Sequence, residues 1–251
     1  MIKYLINYFQ FFSRIPINYR IEDPINVFKE GVTFLGVYGL VYGTIPALVY
    51  FILRLRIDVI EAWPLILLLD VILTGAFHHD AFADTMDGLF SGRSKERKLE
   101  IMKDSRIGTN GAVALILYYI IILIMGVKQL NEVNSIKDEI LFILSFFMIS
   151  RSAMTLTFRD VVYKSSSQEG LGNILIGIST TKLVTAQIIA LVYISLIYGY
   201  TGAIIYCIVI IVIESYRRFI YKEIGGINGD TSGAAVLISQ MVWLIARAII
   251  I

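Results

Sequence analysis

The chain has 251 residues, of which 57% are hydrophobic and 17% are charged, and its formal net charge is +2. This composition is too apolar for an ordinary water-soluble domain, and the small positive excess excludes the strongly basic surface of a nucleic-acid-binding protein. The single cysteine, Cys207, excludes an intrachain disulfide and a cysteine-based metal site. We therefore expect one integral membrane domain over residues 1–251, with the lipid bilayer as a partner and no nucleic acid.

Residues 1–30 form an amphipathic segment. Its aromatic and leucine side chains are followed by Arg14 and Pro16. This pattern predicts a helix that lies in the interface between lipid and water and stops near the proline. Packing of the same helix across the bundle is an equal alternative.

Seven apolar segments follow, each close to the ~20 residues that an α-helix needs to cross a bilayer. Their approximate ranges are 31–53, 59–77, 111–127, 139–158, 183–198, 203–220 and a last one that ends at 251. The first contains Gly39-x-x-x-Gly43, which lets two helices approach closely. The second carries Asp70 mid-span, either as a functional group or as a partner in an interhelical hydrogen bond. The sequence thus predicts an all-α, polytopic membrane bundle of about seven transmembrane helices plus the N-terminal interfacial helix.

Lysine and arginine are distributed unevenly between the loops that the seven predicted spans place on the two sides of the membrane. Six of the 22 lie between Arg93 and Arg106, and most of the others fall on the same side. Basic loops stay in the cytoplasm. We therefore expect segment 78–110, connection 159–181 and the glycine-rich stretch 225–233 to meet at the cytoplasmic face of the cell membrane. Segment 78–110 is the predicted catalytic segment.

Three aspartates in this segment share one helix face. Asp80, Asp84 and Asp87 occupy positions i, i+4 and i+7. Clustered carboxylates repel one another unless a cation lies among them, and hard oxygen ligands favour Mg²⁺ or Mn²⁺. Mg²⁺ then takes its remaining ligands from water and substrate phosphates. We favour a Mg²⁺ site over the alternative of a solvated helix end.

Two histidines precede the aspartates. On a regular helix His78 points about 160° away from Asp80, because each residue turns by about 100°. Either the helix is irregular there or His78 serves elsewhere, against substrate. For His79, burial beside a hydrogen-bond partner is as good an interpretation as a function. Zinc is disfavoured, because two adjacent histidines do not easily bind one ion.

Two other stretches have the composition of phosphate sites. Lys103 and Arg106 can donate to phosphate oxygens, Arg106 as a bidentate fork, or they anchor the chain at the membrane surface. In the stretch 225–233, glycines precede a helix N-terminus, where backbone N–H groups attract anions. Helix capping is the ordinary alternative for the polar residues there. Together with the aspartates, these stretches predict a site for a Mg²⁺-bridged diphosphate.

These motifs resemble those of the cobalamin synthase family, the adenosylcobinamide-GDP ribazoletransferases. The matching segments are FSRIP at 12–16, GAFHHDAFADTMDG at 75–88, LEIMKDSRIG at 99–108, SR at 150–151, EGLG at 169–172 and GGINGDTSGAA at 225–235. The resemblance spans nearly the whole chain. It implies an enzyme that joins α-ribazole, or its 5′-phosphate, to adenosylcobinamide-GDP, releases GMP and requires Mg²⁺. Its partners would be corrinoid and nucleotide substrates, and the oligomeric state stays open, a homo-oligomer included.

The resemblance also implies roles for individual residues. The metal ligands would be Asp80, Asp84 and Asp87. The catalytic groups would be Asp84, Asp87, His78 and Arg106, with an aspartate or His78 as acceptor of the hydroxyl proton. Substrate binding would involve Lys103, Asp104, Arg151, Gly170, Gly172, Gly229 and Asp230.

Three positions depart from the family pattern. Ala81 replaces a glycine that usually follows the first aspartate, and alanine favours an unbroken helix. Leu237 and Gln240 stand where the family often has glutamates, which weakens the case for Asp230 as a metal ligand.

Two other functions fit part of the pattern. Prenyltransferases of the UbiA type also place aspartates over a Mg²⁺-bound diphosphate, but their motif N-D-x-x-D-x-x-x-D is absent. An ion-coupled transporter would use Asp70 and the aspartate cluster within broken helices. Its expected inverted repeat is not visible in the sequence.

Overall fold

The computed structural model describes residues 1–164 and 174–251, and regular structure in these residues is helical. The helices are α1 (Ile2–Phe12), α2 (Pro24–Gly31), α3 (Leu35–Arg54), α4 (Val59–Thr74), α5 (Phe77–Leu89), α6 (Lys95–Ile101), α7 (Thr109–Glu132), α8 (Ile136–Met154), α9 (Thr180–Ile224) and α10 (Gly229–Ile250). Short 3₁₀ turns cover Val32–Phe34 and Thr155–Phe158. The predicted all-α bundle is confirmed.

Five helical stretches in the described residues are long and apolar enough to cross a membrane. They are Pro24–Arg54, Thr109–Glu132, Ile136–Phe158, Thr180–Ile224 and Gly229–Ile250. A sixth results if α4 and α5, which meet at an angle of 89°, form one broken span. The chain is thus a multi-pass membrane protein, while the number of seven crossings stays a prediction.

Helix α9 is too long for a single crossing. Its 45 residues would extend about 68 Å at 1.5 Å per residue, more than twice a bilayer core of about 30 Å. In its middle, Gly199 has φ 63° and ψ −152°, a conformation essentially restricted to glycine. The chain folds back there, and the parts of α9 before and after Gly199 contact each other: the Tyr206 hydroxyl donates a hydrogen bond of 2.7 Å to the Gln187 side chain.

A sharp elbow separates α4 from α5. Gly75 and Ala76 both adopt left-handed φ values of 62°, which glycine tolerates and alanine does not favour. Arg14 lies across this elbow: its backbone N–H donates to the Leu73 carbonyl at 2.7 Å, and its side chain fills the space that a Cβ on Gly75 would need. The FSRIP segment therefore stabilises the start of α5.

The N-terminal helix packs against the bundle. Tyr8 is fully buried, and its hydroxyl donates to the Phe28 carbonyl of α2 at 3.0 Å. Its ring also contacts the Tyr38 ring of α3 at a centroid distance of 5.7 Å. The helix thus packs against α2 and α3, and its position at the interface between lipid and water stays a prediction.

Candidate active site

A cavity of about 660 Å³ lies between α1, α2, α5, the loop after α6 and the start of α10. It joins segment 78–110 to the stretch 225–233, as the sequence predicted. The polar residues that line it include Asp80, Asp84, Lys103, Asp104, Ser105, Asn228, Asp230 and Ser232. The remaining lining residues are mostly phenylalanine, methionine and aliphatic side chains.

Helix α5 presents one stripe of residues to this cavity. Phe77, Asp80, Ala81 and Asp84 line it, and their spacing of three, four and seven residues places them on the same face of a helix. Asp80 is exposed and Asp84 is partly buried. The helical face inferred from the first two aspartates is thus the face that borders the cavity.

Asp230 is the third carboxylate at this site. Helix α10 approaches α5 closely, since a Cβ on Gly233 would lie 2.7 Å from the Cβ of Ala81. This contact brings the first turn of α10, with Asp230, to the cavity that Asp80 and Asp84 line. No spacing along the chain relates α5 to α10, so helical periodicity could not identify this partner.

Asp87 takes a different place from the one expected. Its carboxylate accepts hydrogen bonds from the backbone N–H groups of Gly108 at 2.7 Å and Gly111 at 2.8 Å. Asp87 is buried, and it does not line the cavity. A carboxylate at a helix N-terminus is stabilised by unpaired N–H groups and by the helix dipole. The structure therefore gives Asp87 a helix-capping contact with α7, outside the cavity that Asp80 and Asp84 line.

The carboxylate oxygens of the cavity suit a magnesium ion whose remaining ligands come from the substrate. Among the described residues, no three His, Cys, Asp or Glu side chains converge closely enough to hold a metal ion by themselves. Asp80, Asp84 and Asp230 nevertheless offer carboxylate oxygens to one cavity. Mg²⁺ is usually held by one or two carboxylates together with water and substrate phosphates. Magnesium binding stays a prediction.

The loop after α6 supplies the cation next to these acids. Lys103 lines the cavity, and its positive charge acts on Asp230. Arg106 instead lies at the rim, with 86% of its side chain exposed, and donates to both carboxylate oxygens of Asp104 at 2.9 and 2.6 Å. These hydrogen bonds lower the pKa of Asp104 to about 2. Arg106 therefore does not border the cavity as expected, and its guanidinium is held in a bidentate ion pair with Asp104.

The start of α10 forms the neighbouring wall of the cavity. The helix is capped by Asn228, whose side chain accepts from the Thr231 N–H at 2.8 Å, while the Thr231 hydroxyl accepts from the Asn228 N–H at 3.0 Å. Gly229 and Asp230 follow the cap and line the cavity. The first N–H groups of a helix have no intrahelical partner and favour anions. Capping and anion binding are thus compatible here.

Comparison with known proteins assigns the family. The model of the cobalamin-5-phosphate synthase family matches residues 4–248. The chain belongs to this family. It is accordingly a transferase of cobalamin biosynthesis, which excludes the prenyltransferase and transporter alternatives.

Curated relatives of this cobalamin-5-phosphate synthase family member are named adenosylcobinamide-GDP ribazoletransferase. The protein of Listeria monocytogenes serotype 4b (strain F2365) is 39% identical over 245 residues, which cover 96% of each chain. That of Clostridium novyi (strain NT) is 38% identical over 97% of this chain and 96% of its own. That of Shigella boydii serotype 4 (strain Sb227) is 32% identical over 94% and 95%. No solved structure matches the chain.

His78 of this family member lies behind the cavity. It is buried, its ring stacks on that of Phe12 at 5.5 Å, and its Nε2 has no hydrogen-bond partner. It does not line the cavity. Its expected contact with substrate therefore stays a prediction, which this buried position does not favour. His79 is also buried, stacked on the ring of Tyr119 at 5.6 Å.

Arg151 also differs from its expected role. Only 1% of its side chain is exposed, and its Nη2 lies 3.7 Å from Asp70. Asp70 accepts a hydrogen bond of 2.7 Å from the Tyr42 hydroxyl, and the Arg151 guanidinium lies 5.5 Å from the centre of the Tyr42 ring. This pair neutralises two charges inside the bundle, so Arg151 does not face the cavity and Asp70 is an interhelical partner.

Two departures from the family pattern do not affect the cavity. Leu237 is buried within the bundle, and the Gln240 side chain accepts a hydrogen bond of 2.7 Å from the Tyr118 hydroxyl. Neither residue lines the cavity, so the absence of glutamates there removes no carboxylate from the site. Gly170 and Gly172 lie outside the described residues.

One feature of the cavity was missed in the sequence. Five phenylalanine rings form what we call the aromatic wall, which consists of Phe11, Phe12, Phe28, Phe77 and Phe158. They lie in α1, α2, α5 and the turn after α8, and phenylalanines in membrane helices ordinarily contact lipid or pack in the core. The available signal was the density of aromatic residues in 1–30, which does not distinguish a substrate surface from a membrane surface.

Proposed function

We propose that this chain joins α-ribazole, or its 5′-phosphate, to adenosylcobinamide-GDP and releases GMP, with Mg²⁺ as cofactor. The observation that carries the proposal is the convergence of Asp80, Asp84, Asp230 and Lys103 on one cavity beside a helix N-terminus. Such an arrangement suits a diphosphate. The names of the curated relatives support the identity of the two substrates.

The proposed reaction exchanges one bond at phosphorus. A ribose hydroxyl oxygen forms a bond to the phosphorus next to the aminopropanol group of adenosylcobinamide-GDP. The bond from this phosphorus to the bridging oxygen breaks, and GMP leaves with that oxygen. The hydroxyl proton passes to an acceptor in the site. Catalysis of such a transfer depends mostly on positioning and on neutralisation of the phosphoryl charge.

One or two of Asp80, Asp84 and Asp230 would hold Mg²⁺, with water and the diphosphate as its other ligands. When bound, the metal neutralises charge on the phosphoryl oxygens. The three residues come from two helices that contact each other at Ala81 and Gly233, so the distance between their carboxylates depends on the close α5–α10 packing.

Lys103 and the first N–H groups of α10 would bind the phosphate that becomes part of GMP. Both border the cavity next to the acidic residues. Arg106 would join them by exchanging its bidentate ion pair with Asp104 for one with the phosphate.

The acceptor of the hydroxyl proton would be a cavity carboxylate. Asp84 borders the cavity and is partly buried, whereas His78 is separated from it by the ring of Phe12. A general base must lie within hydrogen-bond reach of the proton that it removes. We therefore assign this role to Asp84 in preference to His78.

The site would face the cytoplasm from the cell membrane. The basic segment between Arg93 and Arg106 precedes α7 and borders the cavity through Lys103. Its positive charge favours the cytoplasmic side, where both nucleotide substrates are available.

The decisive experiment uses purified protein in lipid nanodiscs. Adenosylcobinamide-GDP is supplied with α-ribazole or with its 5′-phosphate, with and without Mg²⁺, and the products are identified by mass spectrometry. We expect GMP and a cobalamin product in equal amounts, dependent on Mg²⁺ and lost on chelation. A folded protein that releases no GMP with either riboside would contradict the proposal.

A further inference from the structure

The cavity has two chemically different sides. The acidic residues and Lys103 form the polar side, and the aromatic wall forms the other. Its rings contact one another: Phe11 lies 4.7 Å from Phe12, 5.3 Å from Phe28 and 5.8 Å from Phe77 between ring centres. The wall is therefore a continuous apolar surface within the same cavity as the proposed diphosphate site.

Phe77 is the ring of the wall that leaves the most area for a ligand. It is 39% exposed, whereas Phe12 is 4% and Phe28 is 2% exposed. Phe11 and Phe12 both contact Phe77, at 5.8 Å between ring centres. Because the exposed Phe77 also lines the cavity, a ligand ring in the cavity can stack on it.

Helix α5 sets the distance between the two sides. Phe77 and Asp84 are seven residues apart on one face, which corresponds to about 10 Å along the helix. A nucleoside is long enough to place its base on Phe77 and its ribose near Asp84. The cavity, about 660 Å³ in volume, has room for such a nucleoside.

The chemistry of the wall discriminates between the two bases of the reaction. Phenylalanine rings offer no hydrogen-bond partners, and a buried donor or acceptor without a partner is costly. Guanine carries several donors and acceptors along its edges. The base of α-ribazole, an alkylated benzimidazole, has a single free ring nitrogen and otherwise apolar edges.

We infer that the aromatic wall is the base-binding subsite for the riboside substrate, that Phe77 is its specificity-determining residue, and that the wall excludes the guanine of the other substrate. The inference rests on the proposed function and adds the position of each base. The corrin ring and the guanine then lie outside the apolar side of the cavity.

The test compares two variants of Phe77 with a matched control. Phe77→Leu keeps an apolar side chain without the ring, and Phe77→Asn adds hydrogen-bonding groups. Phe219→Leu changes a 41% exposed phenylalanine of α9 that does not line the cavity. For each protein, kcat and KM are measured with α-ribazole and with the α-riboside of adenine, and GMP is added as product inhibitor.

The expected result separates the two bases. Phe77→Leu raises KM for α-ribazole by about 5- to 100-fold, the range of one lost base–aromatic stack, and changes kcat little. The inhibition constant of GMP stays at its wild-type value. Phe77→Asn reduces the preference for α-ribazole over the adenine riboside, and Phe219→Leu behaves as wild type.

Three outcomes would overturn the inference while leaving the function in place. They are an unchanged KM for α-ribazole in both Phe77 variants, a weakening of GMP inhibition as large as the rise in KM, or an unaltered base preference in Phe77→Asn. Failure of the wild type to release GMP with any riboside would contradict the proposed function instead. Elution as a single species in detergent, with unchanged helix content, establishes that the variants are folded.

Discussion

The carboxylate of Asp87 accepts hydrogen bonds from the backbone N–H of Gly111 at 2.8 Å and from that of Gly108 at 2.7 Å. Both glycines are required by this geometry, because a Cβ at either position would overlap the carboxylate. The contact joins the end of α5 to the start of α7. Two aspartates that are three residues apart, Asp84 and Asp87, thus have different surroundings, and we expect them to have different tasks.

Asparagine substitutions separate these tasks. Asp87→Asn leaves one of the two N–H groups without an acceptor, and we expect it to lower the free energy of unfolding by about 1–3 kcal/mol. The Mg²⁺ concentration needed for half-maximal activity should not change. Thermal unfolding in detergent and a Mg²⁺ titration of activity measure the two effects.

Asp84→Asn should show the reverse pattern. We expect nearly unchanged thermal unfolding and a loss of activity of roughly 10²- to 10³-fold, as is typical when one charge-stabilising group is removed from a site. If Asp87→Asn instead impaired Mg²⁺ dependence as strongly as Asp84→Asn, the helix-capping role of Asp87 would be wrong.

Asp230→Asn tests the contribution of α10 to the acidic site. Because Asp230 shares the cavity with Asp80 and Asp84, we expect a higher Mg²⁺ requirement and lower activity. Asp160→Asn is the matched control: Asp160 is exposed, lies outside the cavity and has a left-handed backbone that asparagine also adopts. Equal Mg²⁺ titration curves for Asp230→Asn and wild type would remove Asp230 from the metal site.

The pair of Asp70 and Arg151 predicts a double-mutant effect. Arg151→Met leaves the Asp70 charge buried without its partner, and we expect a loss of stability of about 3–5 kcal/mol. Replacement of both residues, in Asp70→Leu/Arg151→Met, should recover much of that loss, since a buried ion pair can be exchanged for apolar groups. The four proteins of the cycle are compared by thermal unfolding. Additive losses would show that the two side chains do not interact.

Gly199 predicts a purely conformational effect. Its φ of 63° and ψ of −152° are strained for any residue with a side chain, although a Cβ there would meet no atom within 4 Å. We expect Gly199→Ala to reduce stability by about 1–3 kcal/mol. Gly229→Ala is the control for stability, because its surroundings are equally open and its φ is not positive. Similar unfolding temperatures for both variants would contradict the strain argument.

Local spacing was sufficient for several features of the site. The i, i+4 relation of Asp80 and Asp84 fixed the face of α5 that borders the cavity. The Gly39-x-x-x-Gly43 motif predicted a close helix contact, which α3 makes with α8: a Cβ on Gly39 would overlap the Phe147 carbonyl. These inferences succeeded because helix geometry depends only on neighbours in the chain. The hydropathy pattern likewise predicted the membrane helices, since the apolar length needed to cross a bilayer is a property of each segment alone.

The helix face on which a residue lies did not reveal which group its side chain contacts. Asp87 points to the predicted face, yet the N-terminus of α7 is there to bind it; His78 meets the ring of Phe12, and Arg151 meets Asp70. In each case the partner lies on a helix distant in the sequence. No local pattern encodes such a contact.

The sequence by itself determined the membrane class, the helices and the acidic and basic groups of the family motifs. Only the tertiary structure decided which of those groups share a cavity, that Asp230 rather than Asp87 joins Asp80 and Asp84, and that the N-terminal phenylalanines form the opposite side. The reason is physical. Hydropathy and helical periodicity are properties of a segment, whereas the environment of a charge or a ring is set by the packing of segments against one another.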